Sequence, residues 1–175
     1  MSQTTLYLML GYPGAGKTTV ARKLAETSGA ELIWADHERR TMFTEPSHTK
    51  AESDALYARL NHTTDTLLSE GKSVIFDTNF NYYKDREYLR KIAKKHGAQT
   101  VLIWLTTPKK LAEQRAVHES VGQETRVLGN MTHADFKRIA SHLEPPRPNE
   151  PAIEIDGSDI SESDLQALLP AVTSD

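Results

Sequence analysis

The sequence predicts an α/β fold, a parallel sheet covered by helices on both faces. Three observations carry this. Short apolar runs alternate with longer segments of helical periodicity through almost all of the 175 residues. The run at 100–105, TVLIWL, is apolar at both odd and even positions, as a strand covered on both faces must be. A glycine-rich turn joins the first apolar run to the first helical segment, which is a strand–turn–helix order.

The elements follow in order. Residues 5–10 are apolar, short and stopped by Gly11, so they form a buried strand. A helix spans 17–27, with Val20, Ala21, Leu24 and Ala25 on one face and Ser28-Gly29 as its stop. A second strand covers 31–35, carrying Leu32, Ile33 and Trp34. A polar segment with Pro46 reads as a loop, followed by a helix over 50–69 whose face is Ala55, Leu56, Leu60, Leu67 and Leu68. The third strand, 73–77, ends on Asp77. A charged helix over 84–96 closes at Gly97, and its Lys84, Arg86, Arg90, Lys91, Lys94 and Lys95 read as a solvated basic face. After the fourth strand, Pro108 suits the first turn of a helix running to 118. Residues 120–130 read as a mobile loop, 134–143 as a helix, 144–148 as an extended stretch, 152–156 as a fifth strand and 161–169 as a last helix. Trp34 and Trp104 are placed in the core. No repeat or domain boundary interrupts this pattern, which predicts a single domain.

Composition bounds the chemistry. There are no cysteines, which excludes a thiolate nucleophile, disulfides and cysteine-ligated zinc. The seven histidines have no HExxH or other close paired spacing, so a metal site built from protein ligands alone is not expected. The net charge of −3 does not favour nucleic acid as the partner, although a local patch would not show in the total. No apolar run reaches the roughly 18 residues that a bilayer requires. No basic segment precedes the first apolar run, so the cytoplasm is the expected compartment and no membrane is expected as a partner.

The chemistry-bearing motif is Gly11-x-x-x-x-Gly16-Lys17-Thr18. A turn of this kind points backbone N–H groups at phosphate oxygens, Lys17 reaches the β- and γ-phosphates, and the Thr18 hydroxyl ligates Mg²⁺. The helix that starts here adds its positive dipole end. Gly11, Pro13, Gly14, Ala15, Gly16, Lys17, Thr18 and Thr19 are therefore the candidate donor-binding set. Val74-Ile-Phe-Asp77 is an apolar strand ending in a carboxylate, the pattern that holds Mg²⁺ beside such a loop. Thr78 and Asn79 add hydrogen-bonding groups at the same strand end. Asp36 and Arg39 follow the second strand. Two readings of them stand side by side: a base and an arginine facing an acceptor hydroxyl, or a helix cap with a solvated arginine. Arg115 and Arg126, in and beyond the helix after strand four, are candidates for stabilising charge on a transferring phosphoryl group.

With these residues assembled, the chain resembles the small P-loop kinases of the AAA-33 and zeta-toxin-like group. That group includes chloramphenicol phosphotransferase and the kinase domain of phage polynucleotide kinase. The resemblance covers residues 5–157 and is closest in motifs to the polynucleotide kinase domain. That domain has a GxxGxGKS/T loop, an Asp-x-x-Arg after strand two and an Asp-Thr-Asn closing strand three. Here these are residues 11–18, Asp36-x-x-Arg39 and Asp77-Thr78-Asn79. The resemblance implies a P-loop NTPase three-layer α/β/α sandwich with a five-stranded parallel sheet, strand order 2-3-1-4-5, and a lid over 115–131. It implies ATP and Mg²⁺, with Thr18 and Asp77 on the metal, Asp36 as general base and Arg39 on the acceptor or its phosphate. Arg115 and Arg126 would be the lid arginines, with adenine lying between Arg115 and the loop at Gly157-Ser158. The chain departs from the phage pattern where a second lid arginine is expected, reading Ala116-Val-His-Glu-Ser120, and it has no phosphatase domain.

The expected function is an ATP-dependent kinase acting on a hydroxyl of a small molecule, a nucleotide or a nucleic-acid 5′ end. The alternative is a nucleotide-dependent switch acting through a protein partner. A guanine-reading Asn-Lys-x-Asp motif is absent, so a GTPase of the common type is not expected.

Overall fold

The computed structural model describes residues 3–79, 81–118 and 131–168. Five strands form one sheet: β1 (Thr5–Leu10), β2 (Glu31–Trp34), β3 (Val74–Asp77), β4 (Gln99–Leu105) and β5 (Ala152–Ile155). All neighbouring pairs are parallel, as the sequence predicts, in the order β2-β3-β1-β4-β5 that the resemblance implies. The helices are α1 (Lys17–Ser28), α2 (Ala35–Met42), α3 (Lys50–Ser69), α4 (Tyr83–Lys95), α5 (Lys109–His118), α6 (His133–Ala140) and α7 (Glu162–Leu168). No helix among the described residues is long and apolar enough to cross a membrane.

The central strand β1 is buried on both faces, and its alternate residues feed two separate cores. Leu6, Leu8 and Leu10 pack with Leu56 and Leu60 of α3 and Leu89 and Ala93 of α4. Tyr7 and Met9 pack with Val20 and Leu24 of α1 and Leu168 of α7. Each fully buried leucine of this kind stabilises the fold by about 1.5–3 kcal/mol.

Four elements differ from the sequence expectation. The second strand ends at Trp34, and α2 follows at once where a polar loop was expected. The buried stripe of α3 is Glu52, Leu56, Leu60, Thr64 and Leu68, one residue every helical turn, and Ala55 is exposed. Arg86 does not lie on a solvated face. It is fully buried, with Nε and Nη2 donating to the Glu150 carboxylate at 2.6 and 2.7 Å. Its Nη1 donates to the carbonyl of Glu144 at 3.1 Å, so the proline-rich stretch is strapped onto the start of α4. Trp34 is only half-buried; Arg22 lies 4.8 Å from its ring and His37 stacks on it at 5.8 Å. The expected lid over 115–131 lies mostly outside the described residues, as does Arg126.

A parallel sheet brings every strand's carboxyl end to one edge. Here Trp34 of β2 is in register with Asp77 of β3, and Leu10 of β1 with Trp104 of β4. The segments after β1, β2, β3 and β5 therefore meet at that edge.

Candidate active site

A cavity of about 1560 Å³ opens at this edge. The residues after β1 form one wall. Gly16 caps α1 in a left-handed conformation with φ 102°, and no side chain caps the helix N-terminus, so its N–H groups are left for an anion. Gly14 has φ 79°, and a Cβ there would lie 2.3 Å from the carbonyl oxygen of Ala112, so only glycine lets the loop lie against α5. The buried Lys17 Nζ donates to the carbonyls of Gly11 and Tyr12, both at 2.9 Å. Burial lowers its pKa, while Asp77 and Asp36 work to raise it.

Asp77 ends β3 beneath the loop, and its Oδ2 accepts a hydrogen bond from the Thr18 hydroxyl at 2.6 Å. Burial pushes its carboxyl up to about 6, against the pull of Lys17 and Thr18. The pairing of a buried carboxylate with a hydroxyl is an all-oxygen donor set suited to Mg²⁺, and a nearby dication would offset the burial cost. The residues present thus fit the metal expected from the sequence.

Asp36 is the second residue of α2, and Trp34 is the cap, so Asp36 does not cap the helix. It is half-buried on the cavity wall and interacts electrostatically with both Lys17 and Asp77. Arg39, one turn on, also lines the cavity, but it is buried where a solvated or rim position was expected. Its Nη1 is paired with Glu52 Oε1, and its Nη2 lies 3.4 Å from the Ser53 hydroxyl. Glu52 Oε2 accepts from the Ser47 and His48 N–H groups at 2.6 and 3.2 Å. Burial opposes the charge on Glu52, yet the Ser47 and Arg39 bonds bring it down to about 2.

The opposite side is closed by α5 and the loop after β5. Arg115 Nη1 and Nη2 donate to the carbonyls of Gly157 and Ser158 at 2.6 and 3.0 Å. Gly157 packs so tightly that a Cβ would lie 2.1 Å from both the Ala15 oxygen and Thr107 Oγ1. The Thr107 hydroxyl in turn donates to Ala15 O at 2.7 Å, which ties this loop to the phosphate turn.

The structure gathers Lys17, Thr18, Asp36, Arg39, Asp77, Arg115 and Gly157 on one cavity. Gly11 lies behind it, under the Lys17 ammonium. Sequence reasoning missed Glu52, Thr107 and Tyr57. The Thr49-x-x-Glu52 capping pattern marked Glu52, since Thr49 Oγ1 accepts from Glu52 N at 3.3 Å. Tyr57 projects from α3 into the same cavity, where burial drives its phenol up to about 12 against a hydrogen bond with Thr78. No local signal marks it, because it sits beside the apolar stripe.

Comparison with known proteins bears on the family and the fold. The AAA_33 family model, described as an AAA domain, matches residues 6–146. The shikimate kinase of Acinetobacter baylyi (strain ATCC 33305 / BD413 / ADP1) is 31% identical over 154 residues, covering 77% of this chain and 79% of the relative. A solved chain from Chloroflexus aurantiacus J-10-fl has a TM-score of 0.76 at 21% identity, covering 99% of this chain and 98% of that one. A gluconokinase from Sinorhizobium meliloti 1021 has a TM-score of 0.67 at 18% identity, covering 99% and 95%. These two structures share the fold.

Proposed function

The chain belongs to the AAA_33 family of P-loop kinases, and on that premise we propose that it transfers the γ-phosphoryl group of ATP to a hydroxyl of a small molecule with the help of Mg²⁺. The observation that carries this reading is the placing of Asp36 on the same cavity wall as Lys17 and the Thr18–Asp77 pair. Donor-binding groups and an acceptor-side carboxylate then face one space.

In this reading the N–H groups of residues 14–19 and the α1 N-terminus hold the β- and γ-phosphates. Lys17 leaves the Gly11 and Tyr12 carbonyls to neutralise charge on the transferring group. Thr18 and Asp77 would hold Mg²⁺, which supplies further charge neutralisation and alignment of the phosphates when bound. Asp36 accepts the proton of the attacking hydroxyl. Arg39, already neutralised by Glu52, orients the acceptor by hydrogen bonding more than by net charge. Arg115 belongs to the nucleotide-base side because it grips the Gly157–Ser158 loop. Arg126 is then the candidate for the transition-state arginine. Positioning and charge neutralisation supply most of the catalysis in such a site.

Incubation with γ-labelled ATP, Mg²⁺ and pooled hydroxyl compounds tests the reading. Label is expected in an acceptor product, and Lys17→Ala should abolish it. Acceptor-independent release of phosphate that rises with a protein partner would favour the switch instead.

A further inference from the structure

The acceptor half of the cavity carries as many carboxylates as fixed cations. Asp36, Asp54, Asp85 and Asp135 line it, against Arg39, Lys50, Lys84 and Arg138. The cations are also already matched. Arg39 is paired with Glu52, Lys50 with Asp54 at 2.6 Å, and Arg138 with Asp135 at 3.2 Å. Lys84 stands 5.3 Å above the Tyr82 ring and next to Asp85, whose charge it stabilises. A site for a phosphorylated or otherwise anionic acceptor gathers arginine and lysine in excess of carboxylate. Among the described residues this one does not. Its carboxylates offset the positive charge that such a ligand would need.

What the same wall offers instead is aromatic surface and hydrogen-bond acceptors. Trp34, Tyr57, Tyr82 and Tyr88 all line it; Trp34 already packs with Arg22 and His37, and Tyr82 with Lys84 and His142, so the ring open to a ligand is Tyr88. Tyr88 is 54% exposed and is the exposed large apolar side chain among the described residues. It lies one helical turn from Asp85 on α4, so a ring face and a carboxylate are presented side by side. Burial pushes the Asp85 carboxyl up from its ordinary range, which Lys84 partly offsets, and hydrogen bonds accepted from a ligand would stabilise its charge. Aromatic faces cover the C–H surface of a carbohydrate-like ring, and carboxylates accept from its hydroxyls.

We infer that the acceptor is a polyhydroxylated compound of sugar size that carries no anionic group. This rests on the kinase reading above and narrows it. It separates this chain from relatives whose names specify shikimate or gluconate as the acceptor, and it disfavours nucleotides and 5′-hydroxyl nucleic acid.

The test uses the whole chain with γ-labelled ATP and Mg²⁺ against four separate pools. These are uncharged sugars and cyclitols, amino sugars, carboxylated polyols, and nucleotides with oligonucleotides. Label confined to the first two pools is expected. Label in the carboxylated or nucleotide pools alone overturns the inference and leaves the kinase reading standing. Label in none overturns the kinase reading and this inference with it. Tyr88→Ala then probes the aromatic wall, since so exposed a side chain can be removed without disturbing the fold. The acceptor KM is expected to rise about tenfold, a typical cost of losing one stacking face, with ATP KM and thermal midpoint unchanged. An unchanged acceptor KM contradicts the role given to the wall.

Discussion

Asp77 and Glu150 are both carboxylates shut away from water, at 3% and 5% exposure, yet their surroundings drive them in opposite directions. Glu150 opposes two arginines, accepting from Arg86 Nε and Nη2 and pairing with Arg90, and it takes a further bond from the Arg147 N–H at 3.1 Å. Burial works against its charge, but these partners bring it down to about 2. Asp77 accepts from the Thr18 hydroxyl and feels Lys17, whose ammonium is bonded elsewhere, and Arg22, yet burial pushes it up to about 6. The first carboxylate is saturated and holds two parts of the chain together. The second is outweighed by burial among the described residues and lies at the edge of a cavity, where a ligand can add to its partners. Burial alone therefore does not mark a functional charge; incomplete satisfaction beside an open space does.

The comparison can be broken most forcefully at the saturated end. Glu150→Gln leaves the fully buried Arg86 without its carboxylate and should cost about 3–5 kcal/mol of stability. Urea denaturation reads this directly, and a loss below about 1 kcal/mol would show that the strap is not a structural bolt. At the unsaturated end the effect should appear in chemistry. Lys17→Ala should lower acceptor phosphorylation by at least about 10²-fold. Asp77→Asn should abolish Mg²⁺-dependent transfer and yet raise the thermal midpoint of the ligand-free protein, because it removes an ill-solvated charge.

A smaller effect is expected at the nucleotide-base side. Gly157→Ala drives a methyl group against the Ala15 carbonyl and Thr107, and the phosphate turn must shift. ATP KM should rise several-fold, measured under saturating acceptor, while the acceptor KM stays constant.

The subtlest sign lies in the pH dependence of stability, followed through the urea midpoint. Glu150 has a folded pKa of about 2 against an ordinary 4.5, so its stabilisation is complete above pH 4.5 and is lost as pH falls towards 2. Glu52 behaves alike, with a folded value also about 2. Asp77 runs the other way: its charge destabilises the fold above pH 6, and that penalty is relieved as pH falls from 6 towards 3.8. Wild type should therefore show a steep loss below pH 4.5. Asp77→Asn should remove the gain between pH 6 and 4, leaving the steep loss in place.

Much of this was legible in the sequence where the signal is contiguous. The strands are short apolar runs, and the phosphate turn is eight residues in a row, so both could be read locally. The helix α2 was not, because ADHERRTM buries only Ala35 and Arg39 and shows no apolar stripe. Arg86 was read as solvated for a related reason. A buried arginine looks like any other in sequence, and its partner Glu150 lies 64 positions away. The acceptor wall draws on α2, α3, α4 and α6, each contributing two or more side chains, so no motif spans it. The spacing of Asp36 and Arg39 singled the pair out but left two readings of it open, whereas the Glu52 anchor that fixes Arg39 emerged only when α2 and α3 were brought together.

The central claim is that one cavity joins a phosphate donor site to an acceptor hydroxyl activated by Asp36. Asp36→Asn tests it most directly, because amide and carboxylate have the same shape and only the proton-accepting charge is lost. The account predicts that acceptor phosphorylation is abolished while ATP affinity, measured by calorimetry on the same protein, stays within about threefold, a change below about 0.7 kcal/mol. Retained phosphorylation, or a loss of ATP binding that parallels the loss of transfer, would contradict it.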